Sequence, residues 1–166
     1  MGEKKLIKIL KGFGFKRVNN WKEFKKQKIC LARFSKEIFS IENIKKEFKI
    51  KISLKKQGKN LDLIIKYKNK IILLEAKHLN VGGGEQDKQI SELIEILSLK
   101  KEKNNIFYIS FLDGTYSNAL LGVISKKAKK KLKQRKQIEK YLRQNQQNYW
   151  LNTAGFKAFF ADLTKK

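Results

Sequence analysis

Apolar positions along the chain switch between two periods. In EKKLIKILKGFGF, Leu6, Ile7, Ile9 and Leu10 recur at near-helical spacing and the pattern stops at Gly12 and Gly14, which predicts a helix and its end. Ser40 is placed to cap a short helix whose apolar stripe is Ile41, Ile44 and Phe48. From Lys49 the period becomes two: Ile50, Ile52 and Leu54 alternate with Lys49, Lys51 and Ser53, which predicts a half-exposed strand ending at Gln57-Gly58. Between Phe15 and Phe39 the residues Trp21, Phe24, Ile29, Leu31 and Phe34 need a core, but no period says which element carries them.

The next stretch, NLDLIIKYKNKIILLEAKH, holds two apolar runs with a polar break, the form of a hairpin. After it, Gly82-Gly83-Gly84 predicts a turning loop, and EQDKQISELIEILSLKK a helix facing inward with Ile90, Leu93, Ile94 and Leu97. NIFYISFLDG is a nearly unbroken apolar run, as expected of a central strand covered on both faces. Residues 126–143 predict a strongly basic helix with a thin stripe of Ala128, Leu132, Ile138, Tyr141 and Leu142. The aromatic tail NYWLNTAGFKAFFADL should pack on the body. No linker or repeat divides the 166 residues, so a single domain over 1–166 is expected, with a basic helical part from 117 to 166.

Charge then narrows the partner. Forty Lys and Arg against fifteen Asp and Glu give +25, spread along the whole chain. Such an excess repels itself in a compact fold and suits a polyanion whose counterions are released on binding, nucleic acid first among them. Drift of composition toward Lys, Asn and Ile is the alternative without functional meaning. One cysteine, Cys30, excludes a disulfide framework and a Cys-rich zinc site, and one histidine, His78, argues against a His-based metal site or a Ser-His-Asp triad. No run reaches the roughly 18 apolar residues of a membrane span, and a soluble cytoplasmic protein is expected.

The hairpin carries the chemistry. With Leu61 to Tyr67 and Lys70 to Lys77 as strands and Lys68-Asn69 as a two-residue turn, Tyr67 pairs with Lys70 and Asp62 faces Glu75. Alternation puts Lys77 on the face of Glu75, so the three side chains converge. Two facing carboxylates repel unless a cation lies between them, and Mg²⁺ takes one or two carboxylates and fills its other positions with water and phosphate. A lysine beside them can orient or help deprotonate the attacking water, which makes Asp62 with Glu75-x-Lys77 a working phosphodiesterase set. The alternative is a salt-bridged face in which Lys77 and Lys66 merely neutralise Asp62 and Glu75. Against that, Ile71 to Leu74 run straight into Glu75, so the strand reads as buried on both faces and its terminal charge needs a reason.

These residues resemble the PD-(D/E)XK nuclease superfamily, over about Glu42 to Asp113. Asp62 matches the motif aspartate and Glu75-Ala76-Lys77 the E-x-K, with twelve residues between the two carboxylates. Leu61 stands where the motif has proline. The resemblance implies a restriction-endonuclease-like α/β (α+β) core, a central mixed sheet flanked by helices, in the order helix, strand, hairpin, helix, strand. It implies Mg²⁺ held by Asp62, Glu75 and the Ala76 carbonyl, with Glu42, or less readily Glu47, as an acidic residue from the preceding helix. Gln86 and Gln89 resemble the polar residues found near the scissile bond on the helix after the motif lysine. EAKHLNVGGGEQDKQ and NYWLNTAGF look most like a type II restriction endonuclease. That implies hydrolysis of both strands of duplex DNA to 5′-phosphate and 3′-hydroxyl ends, a homodimer and a cognate methyltransferase. His78 and the basic residues Lys126, Lys127, Lys129, Lys130, Lys133 and Arg135 are the candidates for DNA contact.

Two other readings fit parts of the pattern. A Holliday junction resolvase would take Glu3, in the first helix before Gly14-Phe15, as its acidic residue, although the gap to Asp62 is long for that group. A non-catalytic basic protein would bind nucleic acid through phosphate contacts alone and be indifferent to Mg²⁺.

Overall fold

The structure, a computed structural model, describes residues 2–55, 61–81 and 83–165. In chain order the elements are α1 (Gly2–Gly12), β1 (Lys16–Arg17), α2 (Trp21–Lys26), β2 (Ile29–Arg33), α3 (Ile41–Phe48), β3 (Leu63–Tyr67), β4 (Lys70–His78) and α4 (Gly84–Leu97). They continue with β5 (Ile106–Asp113), α5 (Thr115–Leu121), α6 (Lys129–Gln144), β6 (Asn148–Leu151) and α7 (Thr153–Thr164). The six strands form one sheet in the order β1-β2-β3-β4-β5-β6. Only β3 runs against its neighbours; the β1–β2, β4–β5 and β5–β6 pairs are parallel. This is an α/β protein with a mixed sheet flanked by helices, a restriction-endonuclease-like architecture.

Side chains alternate across β4, and both of its faces are covered. Ile72 and Leu74 join Leu6 and Leu10 of α1 and Phe156 and Phe160 of α7, whereas Leu73 joins Ile44 of α3 and Ile96 of α4. Four consecutive apolar residues are therefore all buried, each in one of two cores. The tail packs as its aromatics require: Phe156 stacks edge-on against Phe111 of β5, with ring centroids 5.7 Å apart. Ser40 caps α3 by accepting from the Asn43 N–H.

One expected strand is absent and another takes its place. Residues 50–54 form no strand, and the expected end at Gln57-Gly58 lies outside the described residues. Lys49 closes α3 in a left-handed conformation, φ 52°. Beyond it the Lys51 and Lys55 N–H groups donate to the carboxylates of Glu102 and Glu95, so this backbone is satisfied by side chains rather than by a ladder. Ile50 and Ile52 are buried nonetheless, which is what produced the alternation. The strand beside β3 is β2, with Ile29 opposite Tyr67 and Arg33 opposite Leu63. It lies in the region whose period was silent, because Cys30, Leu31 and Ala32 are all buried and nothing polar alternates with them. The sheet thus draws strands from both sides of the 42–113 segment. The basic helix begins at Lys129, which leaves Lys126 and Lys127 in a turn ahead of it. Among the described residues no helix is long and apolar enough to cross a membrane.

Candidate active site

The hairpin has the register that a two-residue turn demands. Pairs run from Tyr67↔Lys70 to Leu63↔Leu74, and Lys68 enters the turn with φ 56°. The paired register ends at Leu63↔Leu74, and the Asp62 N–H donates to the carbonyl of that same Leu74 at 2.9 Å, a one-residue offset that leaves Asp62 at the hairpin's end, near enough to Glu75 for their charges to interact. The Asp62 side chain then turns back across the strand: its Oδ2 accepts the Ala76 N–H at 2.7 Å. Glu75 is only 3% exposed. It is level with Ser110 of β5, whose hydroxyl donates to the Leu93 carbonyl of α4 at 2.7 Å, so Glu75 lies on the side of the sheet that α4 covers.

Lys77 is shared. Its Nζ stands 2.8 Å from Glu75 Oε1 and 3.3 Å from Glu92 Oε2, with Glu92 reaching in from α4. Burial by itself would depress the Lys77 ammonium; hydrogen bonds and charge from Glu75 and Glu92 more than offset it, and the pKa is raised. Asp62 is pushed the other way for a carboxylate. Burial chiefly, then the charge of Glu75, lifts its pKa from 3.8 to about 6, with the Ala76 N–H and Lys77 opposing and Glu3 adding to the rise. The Lys66 ammonium is not in this group: it donates to the Phe24 and Lys25 carbonyls at the end of α2. Lys77 is thus ion-paired within the site, whereas the Lys66 ammonium is engaged by backbone carbonyls.

Glu42 is not brought to the pair. It lies in the first turn of α3, exposed, with its carboxylate on Lys45 at 3.2 Å, and Glu47 pairs with Lys25. The helix-borne acid whose charge reaches Asp62, more weakly than that of Glu75, is Glu3 on α1, which is itself paired with Arg33 of β2. The reason is topological: α3 sits between β2 and β3 as an excursion, while α1 packs on the strand end, with Gly2 close to the Ala76 methyl. Gln86 and Gln89 are half-buried on α4, and among the described residues neither hydrogen-bonds Asp62, Glu75 or Lys77. Glu92 is three residues beyond Gln89, hence on the same helix face, and that spacing was the available signal for it.

The surrounding surface is basic. His78 ends β4 opposite Asp113, with its Nδ1 4.0 Å from Asp113 Oδ2. Asp113 also accepts from Lys5 at 2.8 Å and from Thr153 at 2.9 Å, which ties α1 and α7 to the end of β5. Lys126, Lys127, Lys129, Lys130 and Lys133 are exposed. Lys130 is paired with Asp87, and Arg135 is engaged with the Gly122 carbonyl and Glu139. A cavity of about 500 Å³ opens between the starts of α4 and α6, lined by Gly83, Gly84, Tyr116, Lys127, Lys129 and Lys130 among others.

The donors suit a hard cation. Asp62 and Glu75 offer oxygen only, and the raised pKa of Asp62 records negative charge held close to negative charge out of water. Among the described residues no three His, Cys, Asp or Glu gather as a full metal cage. Two carboxylates supplemented by water and phosphate oxygen is the usual arrangement for Mg²⁺.

A six-stranded mixed sheet with helices on both faces is the architecture of a restriction-endonuclease-like protein. Residues 16–145 of the 166 match the model of the DpnII restriction endonuclease family, and the chain belongs to that family. It is accordingly a restriction-type DNA endonuclease, a hydrolase of phosphodiester bonds that binds duplex DNA. The matched segment holds Asp62, Glu75, Lys77 and Glu92. No curated protein and no solved structure matches the chain.

Proposed function

We propose that Asp62, Glu75 and Lys77 are the hydrolytic centre, of the PD-(D/E)XK kind, and that the enzyme uses Mg²⁺ to cut duplex DNA to 5′-phosphate and 3′-hydroxyl ends. The observation that carries this reading is the convergence of Asp62, which feels the charge of Glu75 and accepts the Ala76 N–H, with Lys77, 2.8 Å from Glu75. Asp62, Glu75 and the Ala76 carbonyl would hold the ion. When bound, Mg²⁺ supplies neutralisation of charge developing on the phosphoryl oxygens and activation of water. The protein's own part is positioning. Asp62 is fixed by the Ala76 N–H, and at neutral pH it is mostly ionised, since its pKa is about 6. Lys77 carries its proton, so it acts as a cation that hydrogen-bonds the attacking water and faces the phosphate. Gln86 and Gln89, near the start of α4, would meet the scissile region; the support is their half-buried position on the helix that carries Glu92.

Around that centre, His78 and the exposed lysines 126, 127, 129 and 133 contact the DNA backbone, with Lys130 and Arg135 joining once they leave their internal partners. The support is the +25 charge and the lysine-lined cavity beside the start of α4. Cutting both strands calls for two such centres, which a homodimer supplies. A methyltransferase of the same specificity would protect the host's DNA in the cytoplasm, and the whole chain would serve as one nuclease domain.

The test is incubation of plasmid and linear duplex with the protein in Mg²⁺ or EDTA, followed by ligation of the products. The reading expects cleavage in Mg²⁺ alone and fragments that religate without added phosphate. Equal cleavage in EDTA, or fragments that ligate only after phosphorylation, contradicts it.

A further inference from the structure

We propose that Glu92 is a positioning residue for the cleavage reaction: it holds the Lys77 ammonium at the reacting centre while Glu75 is engaged by a cation. The inference rests on the assignment of Lys77 to that centre. Lys77 Nζ lies between two carboxylates, 2.8 Å from Glu75 and 3.3 Å from Glu92. Those two do not have equal freedom to keep it. Glu75 belongs to the pair that attracts the divalent ion, and an ion there repels the ammonium that shares its carboxylate. A lysine stem has four rotatable carbons, and one released from its anchor swings toward water. Glu92 supplies the second anchor, on the side of Lys77 that Glu75 does not occupy.

The support behind Glu92 is stiff. It sits in the middle of α4, next to Leu93, which is fully buried and whose carbonyl receives the Ser110 hydroxyl from β5 at 2.7 Å. Ser110 is the residue paired with Glu75. Glu75, Ser110, Leu93 and Glu92 therefore form one connected level across strand, strand and helix, and Lys77 closes it. A carboxylate on so well-fixed a helix gives the lysine a single place to stand, the condition for preorganised catalysis.

Single-turnover cleavage at saturating Mg²⁺ and DNA tests this, in Glu92→Gln, Glu92→Asp, Lys77→Gln and the double variant, at a temperature where thermal melts show all four folded. Glu92→Gln is expected to slow the chemical step about 10- to 100-fold. DNA affinity measured in Ca²⁺ should stay within about twofold, and Glu92→Asp should recover part of the rate. In the Lys77→Gln background, Glu92→Gln should cost nothing more, since there is no ammonium left to hold. A wild-type rate for Glu92→Gln, a loss confined to DNA affinity, or the same fold-loss with and without Lys77 overturns the proposal. Lys77→Gln cleaving as fast as wild type would instead defeat the underlying assignment of Lys77, whereas a slow Lys77→Gln beside a fast Glu92→Gln defeats the role of Glu92 alone.

Discussion

The carboxylate of Asp62 is bonded to the peptide N–H of Ala76, 2.7 Å away, the residue between Glu75 and Lys77. One strand end is thereby fastened to the other at the point where their charges meet. The contact explains how an acid can be held in a site that raises its pKa to about 6: one N–H favours the ionised form while burial and Glu75 oppose it. That balance has consequences for stability.

Because the folded pKa of Asp62 lies above its ordinary 3.8, the stabilisation tied to its proton is complete below about pH 4 and is lost as pH rises through about 6. Without divalent ions, Asp62→Asn should match the wild type near pH 4 and exceed it near pH 7.5 by roughly 2–3 kcal/mol. Denaturant unfolding of both proteins across that range in EDTA measures the gap, and Mg²⁺ should narrow it. A gap that does not change with pH would mean that Asp62 is not held in this environment.

Lys77 competes with any cation for Glu75. Its removal in Lys77→Met leaves Glu75 and Glu92 without the ammonium that lies between them, which should cost roughly 2 kcal/mol of stability in EDTA. The same change should tighten Mg²⁺ binding, because the ion becomes the neutralising charge. Titration calorimetry with Mg²⁺ reads this directly; weaker binding in Lys77→Met would show that the lysine helps rather than competes.

Gly114 joins β5 to α5 at φ 99°, and a Cβ there would lie 2.2 Å from the Leu79 carbonyl oxygen. That carbonyl accepts from the Tyr116 N–H, and the Leu79 N–H donates to Asp113, so the ends of β4 and β5 are locked together at this point. Gly114→Ala combines a left-handed backbone with a clash against backbone and should cost roughly 3 kcal/mol. Chemical denaturation checks the loss.

If the turn and helix around α6 lie along DNA, alanine at Lys126, Lys127, Lys129 or Lys133 should each reduce the slope of log affinity against log salt by about 1, with no dependence on sequence. Lys130, already paired with Asp87, should contribute less. Fluorescence anisotropy with duplex DNA in Ca²⁺, from low to moderate salt, separates the two groups.

Much of the site was legible because the hairpin is governed by local rules. A two-residue turn at Lys68-Asn69 and the period of two fix the register from Tyr67↔Lys70 to Leu63↔Leu74; beyond it the Asp62 N–H bonds Leu74 rather than continuing the pairing to Glu75, an offset that the period of two does not announce. What was not legible depends on burial from elsewhere. β2 is covered on both faces and carries no alternation, while Ile50 and Ile52 alternate with lysines in a segment whose N–H groups go to Glu95 and Glu102. Glu42 looked suited to the site because its helix precedes the hairpin in sequence; Glu3 is nearer in effect because α1 packs on the strand ends. Glu92 reads as one more charge on a helix face until the partner that crosses from β4 is known.

The central claim is that three side chains on one hairpin make DNA cleavage depend on a divalent cation. Plasmid cleavage by Asp62→Asn tests it most directly, in Mg²⁺, with its fold checked by thermal melting and its DNA binding by anisotropy in Ca²⁺. A folded protein that binds DNA like the wild type and no longer cuts is the predicted result. A folded Asp62→Asn that cuts at the wild-type rate contradicts the account.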